Sequence, residues 1–168
     1  MPRLVLACLV AGLALSACAT TERIDAAADV HAFLVAVRND DKATFERHID
    51  RPALTLSLEA RIQGEAARSD TPREMKLAAA ALAGPAARLV QATLVRPSVL
   101  RYVAVNLGYG PDKPLPRTLD IAAALRPVES GRVCAANSKK SPCLLTFARE
   151  DGVWRLVSVD APLRDLRL

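Results

Sequence analysis

The side chains able to do chemistry in this chain are few: four cysteines, two histidines and a scatter of carboxylates. Histidine is the usual proton shuttle near neutral pH, and His48 stands in the run His48-Ile49-Asp50, where an acid could pair with it. A cap or hydrogen bond at the turn before Pro52 is the expected role. His31 falls on the edge of an apolar helical stripe and is expected to be a boundary residue rather than a ligand. The sequence contains no G-x-S-x-G, H-E-x-x-H, P-loop or dinucleotide fingerprint. Cys134 and Cys143, with eight residues between them and no histidine nearby, fall short of the four ligands of a structural zinc site. Their spacing is also wider than the C-x-x-C of redox dithiols. No catalytic set, metal or cofactor is expected.

The N-terminus carries a different kind of chemistry. Arg3 followed by the almost wholly apolar run Leu4 to Leu15 has the form of an export signal. A transmembrane helix needs roughly 20 apolar residues, and here the polar stretch Thr20-Thr21-Glu22-Arg23 follows too soon. The run closes on Leu15-Ser16-Ala17-Cys18, which resembles the lipobox of bacterial lipoproteins. The resemblance implies that residues 1–17 are a removed signal peptide, that the Cys18 thiol receives a diacylglyceryl group, and that its new amine is acylated, as with palmitate. One acyl chain holds a membrane marginally, at roughly 0.8 kcal/mol per buried methylene, and two or more make the attachment lasting. Ala19, where Asp would signal inner-membrane retention, implies the outer membrane, facing the periplasm. Cys8 then leaves with the signal and Cys18 carries lipid. Cys134 and Cys143 are the thiols that remain, and in an oxidising compartment they are expected to form a disulfide, worth roughly 2.5 kcal/mol by loop entropy.

Of the 168 residues, those beyond the signal suffice for one domain and not comfortably for two. The expected organisation is a lipidated tether over 18–23 and a single α+β domain over 24–168. The net charge of +5 is spread out, with only Lys139-Lys140 and the Arg164 to Arg167 tail as small clusters. That is no nucleic-acid footprint.

Periodicity supplies the elements. Val30, Phe33, Leu34 and Val37, extended by Ala26 and Ala27, predict an amphipathic helix over Thr21 to Arg38. Asn39-Asp40-Asp41 stops it and caps a short second helix with Phe45 and Ile49 inward. Pro52 opens a third helix through about Ala67, with Leu54, Leu58 and Ile62 on one stripe. Thr71-Pro72-Arg73-Glu74 has the form of a capping box with proline at the first helical position, and Gly84-Pro85 is expected to break or kink the helix that follows. A further helix from Pro97 carries Val99, Leu100, Val103 and Leu107, ends at Gly108, and leads into a proline-rich linker, Tyr109 to Pro116. Residues 118–128 read as helix because Asp120 to Leu125 are helix formers. Asp151-Gly152 is a two-residue hairpin turn. It would set Arg149 against Trp154, Phe147 against Leu156 and Leu145 against Ser158, with Thr146 against Val157 and Leu144 against Val159 on the other face. Arg132 to Ala135 is expected as a preceding strand.

Helices first and a meander last is an α+β order, with N-terminal helices packed on a C-terminal antiparallel sheet. The stretch from His31 to Leu54, with its step Ile49-Asp50-x-Pro52-x-Leu54, and the closing run Asp151 to Leu163 resemble an uncharacterised family of exported bacterial proteins, domain of unknown function 2939. That resemblance brings no activity with it. The same opening and ending resemble the broader nuclear-transport-factor-two-like fold. Such a fold implies a cone of sheet and helices around a pocket, and acid–base enzymes built on it would need Asp50 with Tyr102 or Tyr109 in a common cavity.

The functional expectation is a non-enzymatic, periplasm-facing envelope lipoprotein. Its domain would bind an envelope protein, a cell-wall component or a small apolar ligand, with Trp154 and Phe147 as core aromatics or pocket lining. A cone-like enzyme with a pocket carboxylate is the alternative.

Overall fold

The computed structural model describes residues 2–106, 110–129, 131–136, 138 and 141–160, with side chains from Thr20 onward apart from Asn106. Six helices precede four strands among these residues: α1 Pro2–Asn39, α2 Lys42–Arg47, α3 Arg51–Arg68, α4 Arg73–Leu94, α5 Pro97–Asn106, α6 Thr118–Ala124, β1 Leu125–Glu129, β2 Arg132–Ala135, β3 Leu145–Glu150 and β4 Val153–Val159. The strands form one antiparallel meander in the order β1-β2-β3-β4. This is the α+β architecture expected, with helices first and sheet last.

Helix α1 runs without a break across the segment expected to be signal and tether, instead of starting at Thr21. Leu- and Ala-rich sequence on both sides of residue 18 favours helix, and no proline interrupts it. Its predicted stripe is the core stripe: Ala26, Ala27, Val30, Phe33 and Val37 are buried, and Leu34 packs against them. The chain reverses at Asp40, which takes a left-handed φ of 57°, a conformation that Asp tolerates better than most residues. Asp41 then caps α2 by accepting the Thr44 N–H at 3.1 Å. Phe45 is fully buried and Ile49 nearly so.

The next three residues do something that periodicity does not announce. Leu156 N–H donates to His48 O at 2.9 Å and Asp50 N–H donates to Leu156 O at 3.1 Å, so Ile49 bridges Leu156 in parallel sense. This short run covers part of the outer edge of β4, where an unpaired strand would invite pairing with another chain. Asp50 then caps α3 by accepting the Ala53 N–H at 3.0 Å. The helix lies along β4, tied by Ser57 Oγ to Ser158 Oγ at 2.8 Å and by Arg61 Nη1 donating to Val159 O at 3.1 Å.

Four local expectations are corrected. The capping box at Thr71 does not form, because the first helical bond runs from Lys76 N–H to Pro72 O at 3.1 Å. Pro72 is therefore the cap residue, Thr71 stands one position too early, and its hydroxyl pairs with Ser69 Oγ at 2.7 Å. Helix α4 is not broken at Gly84-Pro85, since Pro85 lies inside it. Proline crowds the Cβ of the residue before it, and at Gly84 there is none. The helix predicted over 118–128 ends at Ala124, and Leu125–Glu129 is strand. Pro127 excludes helix at Arg126 and is tolerated on an edge strand beside the bulge between Pro127 and Glu129.

The hairpin is the fourth. Asp151 and Gly152 take φ of 49° and 80°, the pair of positive values that a type I′ turn requires. Arg149 faces Trp154 and Phe147 faces Leu156 as predicted, but a bulge between Thr146 and Phe147 then shifts the register. Thr146 faces Ser158 and Leu145 faces Val159. Val157 is the extra residue, and the kink lets the consecutive Leu156 and Val157 both be buried.

Candidate functional site

Between α1 and the sheet lies a cavity of about 210 Å³. Val30, Phe33 and Leu34 of α1 form one wall, Ile121 and Ala124 of α6 a second, and Leu125, Ala135, Leu145 and Phe147 from three strands the third, with Pro116 and Asp120 completing the lining. The α1 wall is stiffened from behind, because Phe33 stacks on Phe45 with ring centroids 5.4 Å apart and meets Phe147 edge-on at 6.2 Å. Among the described residues Asp120 is the one ionisable lining side chain. It accepts from Arg117 Nε at 3.0 Å and from the Arg117 backbone N–H at 3.3 Å, and the Arg117 guanidinium holds its carboxyl below the ordinary range. The carboxylate is thus paired with Arg117 in the first turn of α6, in a solvent-exposed ion pair. The arrangement suits an apolar guest.

A second, polar cluster surrounds Trp154, which is almost completely buried. Asp25 and Asp29, one turn apart on α1, both reach it: Trp154 Nε1–H donates to Asp25 Oδ2 at 3.0 Å, and the Trp154 backbone N–H to Asp29 Oδ2 at 2.8 Å. Arg149 pairs with Asp25 at 3.2 Å. His48 Nδ1 lies 2.8 Å from Thr44 O, and since a carbonyl only accepts, Nδ1 carries the hydrogen. Its Nε2 faces Asp29 Oδ1 at 3.5 Å. The buried His48 thus bonds back to Thr44 within α2, not across the turn before Pro52, and presents its other ring nitrogen to the Asp29 carboxylate of α1.

Next to this cluster, Glu150 has its carboxyl pushed above the ordinary range, chiefly by burial and then by the hydrogen bond and charge of neighbouring Asp50, with Arg155 opposing. A carboxyl with a raised folded pKa holds more protons folded than unfolded, so stability falls as pH rises through the window above the ordinary value of 4.5. Glu150→Gln removes that charge while keeping a donor for Asp50 and an acceptor for Arg155. Its expected effect is a higher melting temperature at neutral pH and none below the ordinary glutamate pKa, where both side chains are neutral in both states. Thermal melts of the two proteins across pH check this, and equal melting at neutral pH would contradict it.

The other candidates singled out in the sequence fall in separate places. Cys134 and Cys143 are joined, with Cα atoms 5.6 Å apart, and Arg126 Nη2 reaches both sulfurs and Ser141 O. Cys18 lies within α1, its side chain outside the described residues. His31 is half-buried on α1. Asp50 caps α3 and Tyr102 is exposed on α5, and neither lines the cavity; Tyr109 lies outside the described residues. Phe147 lines the cavity whereas Trp154 belongs to the core. Among the described residues no group of three or more His, Cys, Asp or Glu is placed to hold a metal. Sequence reasoning missed Asp25 and Asp29. Their i, i+4 spacing beside the apolar stripe of α1 was the available signal.

Fold and cavity together define an α+β domain with an apolar cleft between its first helix and its sheet. Residues 6–103, more than half of the chain, match the family described as Protein of unknown function (DUF2939), and the chain belongs to that family. The matched stretch runs from α1 into α5, and the sheet lies beyond it. Comparison with curated proteins and with solved structures finds no match.

Proposed function

We propose that the protein is a non-enzymatic envelope lipoprotein, held through lipid on Cys18 at the outer membrane and facing the periplasm, whose domain binds a small apolar ligand in the α1–sheet cleft. The observation that carries the binding half is the cavity of about 210 Å³ whose single ionisable lining group is already paired. A dry apolar cavity of about 150 Å³ takes up benzene, and drug-sized ligands need about 300–1,000 Å³. The guest is therefore a compact apolar molecule or the end of a chain. The lipobox-like Leu15-Ser16-Ala17-Cys18 supports the address. An enzyme reading would need a free carboxylate within the cleft, and Asp120 is bound to Arg117.

Toluene is the probe. Its titration is expected to shift the methyl NMR signals of Val30, Leu34, Ile121 and Leu125 in a saturable way, leaving those of α4 unmoved. Ala124→Phe, which places bulk in the cleft, should weaken binding at least tenfold. Uniform, non-saturating shifts would remove the binding reading. In cells, incorporation of labelled palmitate and sedimentation with membranes should both be lost in Cys18→Ser, and retention of the label would remove the anchor reading.

A further inference from the structure

Helix α4 leaves most of its surface without a partner. It rests on α3 through Ala83, Ala87 and Gln91, which are buried. On the opposite side Met75, Leu82 and Leu89 are 60%, 63% and 70% exposed, and Ala78, Pro85 and Ala92 lie exposed between them. The six positions 75, 78, 82, 85, 89 and 92 alternate steps of three and four, the spacing of a coiled-coil seam. Their sizes are ordered as well. Every residue at the first position of the repeat is large, and every residue at the fourth is small or compact. In an antiparallel pair, first positions meet fourth positions of the other helix. A two-fold axis midway along the stripe therefore sets Met75 against Ala92, Ala78 against Leu89 and Leu82 against Pro85, large into small in every layer. A surface that complements itself about a two-fold axis is the requirement for a closed homodimer.

We propose that α4 is the dimerisation surface of this protein, pairing antiparallel with α4 of a second copy. The inference goes beyond the ligand reading and does not depend on it. Two features favour a second copy over a lipid surface. Helices that lie on bilayers carry a face rich in Lys and Arg, whereas between Leu77 and Val95 the only charged residue is Arg88. A bilayer also gains from bulk anywhere on an apolar face and gives no reason for the holes at Ala78, Pro85 and Ala92. The stretch Arg73–Leu94 is apolar and long enough to cross a membrane by length and composition. It is bound along one side to α3, which carries Glu59, Arg61, Glu65 and Arg68, and these charges do not belong in hydrocarbon.

The test uses the full chain in its own membranes and after extraction into a mild detergent. The double variant Met75→Cys/Ala92→Cys is expected to give a disulfide-linked dimer on gentle oxidation, beyond the background of the unsubstituted chain, while either cysteine alone gives none. Within one chain the two positions stand 17 residues apart on a helix, roughly 25 Å, so they cannot close on each other. Density-matched sedimentation should give two chains per particle, falling to one in Leu82→Asp and in Leu89→Asp with circular dichroism unchanged, since both side chains are exposed. Ala78→Trp separates the occupants. It fills a hole and should split the dimer, whereas a membrane-docking face would bind vesicles of phosphatidylethanolamine and phosphatidylglycerol more tightly. A single chain per particle at every soluble concentration, crosslinking through Met75→Cys alone, or tighter vesicle binding by Ala78→Trp with the particle mass unchanged would each overturn the proposal.

Discussion

Trp154→Ala is expected to cost about 3–5 kcal/mol of folding stability, the range for emptying a buried aromatic site. The side chain is 1% exposed, belongs to the buried core and joins β4 to α1 through Asp25. Its loss leaves a void that neighbours do not readily close, because Asp29 still holds the backbone N–H of residue 154 and Asp25 still pairs with Arg149, keeping α1 in place over the sheet. The backbone bond to Asp29 survives the substitution, and the Nε1–H bond to Asp25 does not. Trp154→Phe separates the two contributions. It keeps most of the apolar volume and removes the donor, for about 1–2 kcal/mol, between the worth of a neutral bond and one to a charged acceptor. A domain of this size is stable by roughly 5–15 kcal/mol, so the alanine variant loses a large share of that margin and the phenylalanine variant stays well folded. Urea midpoints of the three proteins check the order, and an alanine cost below that of phenylalanine would show that the indole does not anchor this junction.

What could be read from sequence here was local. Asp41 was legible as a cap because a carboxylate ahead of a helix has only a few backbone N–H groups to meet. Phe33, Phe45 and Ile49 were legible as core because they recur with the helical period, and Asp151-Gly152 announced its turn because few residue pairs accept two positive φ values. Several of the failures share a cause, which is that the deciding partner is distant in the chain. The single bridge of Ile49 to Leu156 has no period to reveal it. The bulge at Val157 is settled by what lies beneath two consecutive apolar residues, and alternation alone predicts that only one of them is buried. Pro85 is a local exception: it stays within α4 with Gly84 before it, which has no Cβ for the ring to crowd. The cavity is the extreme case. Its walls come from α1, α6 and three strands, separated by more than a hundred residues of chain from Val30 to Phe147, and each apolar lining residue taken singly reads as ordinary core.

Removing the disulfide, as Cys134→Ala/Cys143→Ser, is expected to lower stability by about 2.5 kcal/mol, the loop-entropy value for a sequence separation of 9. Alanine is the choice at position 134 because Cys134 is fully buried in β2, and a serine hydroxyl there would add a desolvation cost of its own. The effect should also be local. The bridge spans the connection between β2 and β3, and immediately inside it Ala135 pairs with Leu145, while Leu144 N–H donates to Ala135 O at 2.8 Å. Ala135 and Leu145 both line the cavity. Without the crosslink the strand ends on either side of the loop fray more readily, so one cavity wall loosens and toluene should bind more weakly than the stability loss alone would produce. Reduction of the native protein by dithiothreitol should reproduce both changes, since it breaks the same bond without altering any side chain's volume much. Agreement between the reduced native protein and the double variant in melting temperature and in toluene affinity is the expected result. A double variant that melts lower but binds toluene as tightly as the native protein would confine the bridge to holding the chain together and take it out of shaping the cleft. If the bridge does shape the cleft, a domain retained in a reducing compartment would have a looser binding site as well as lower stability, so ligand affinity would depend on export.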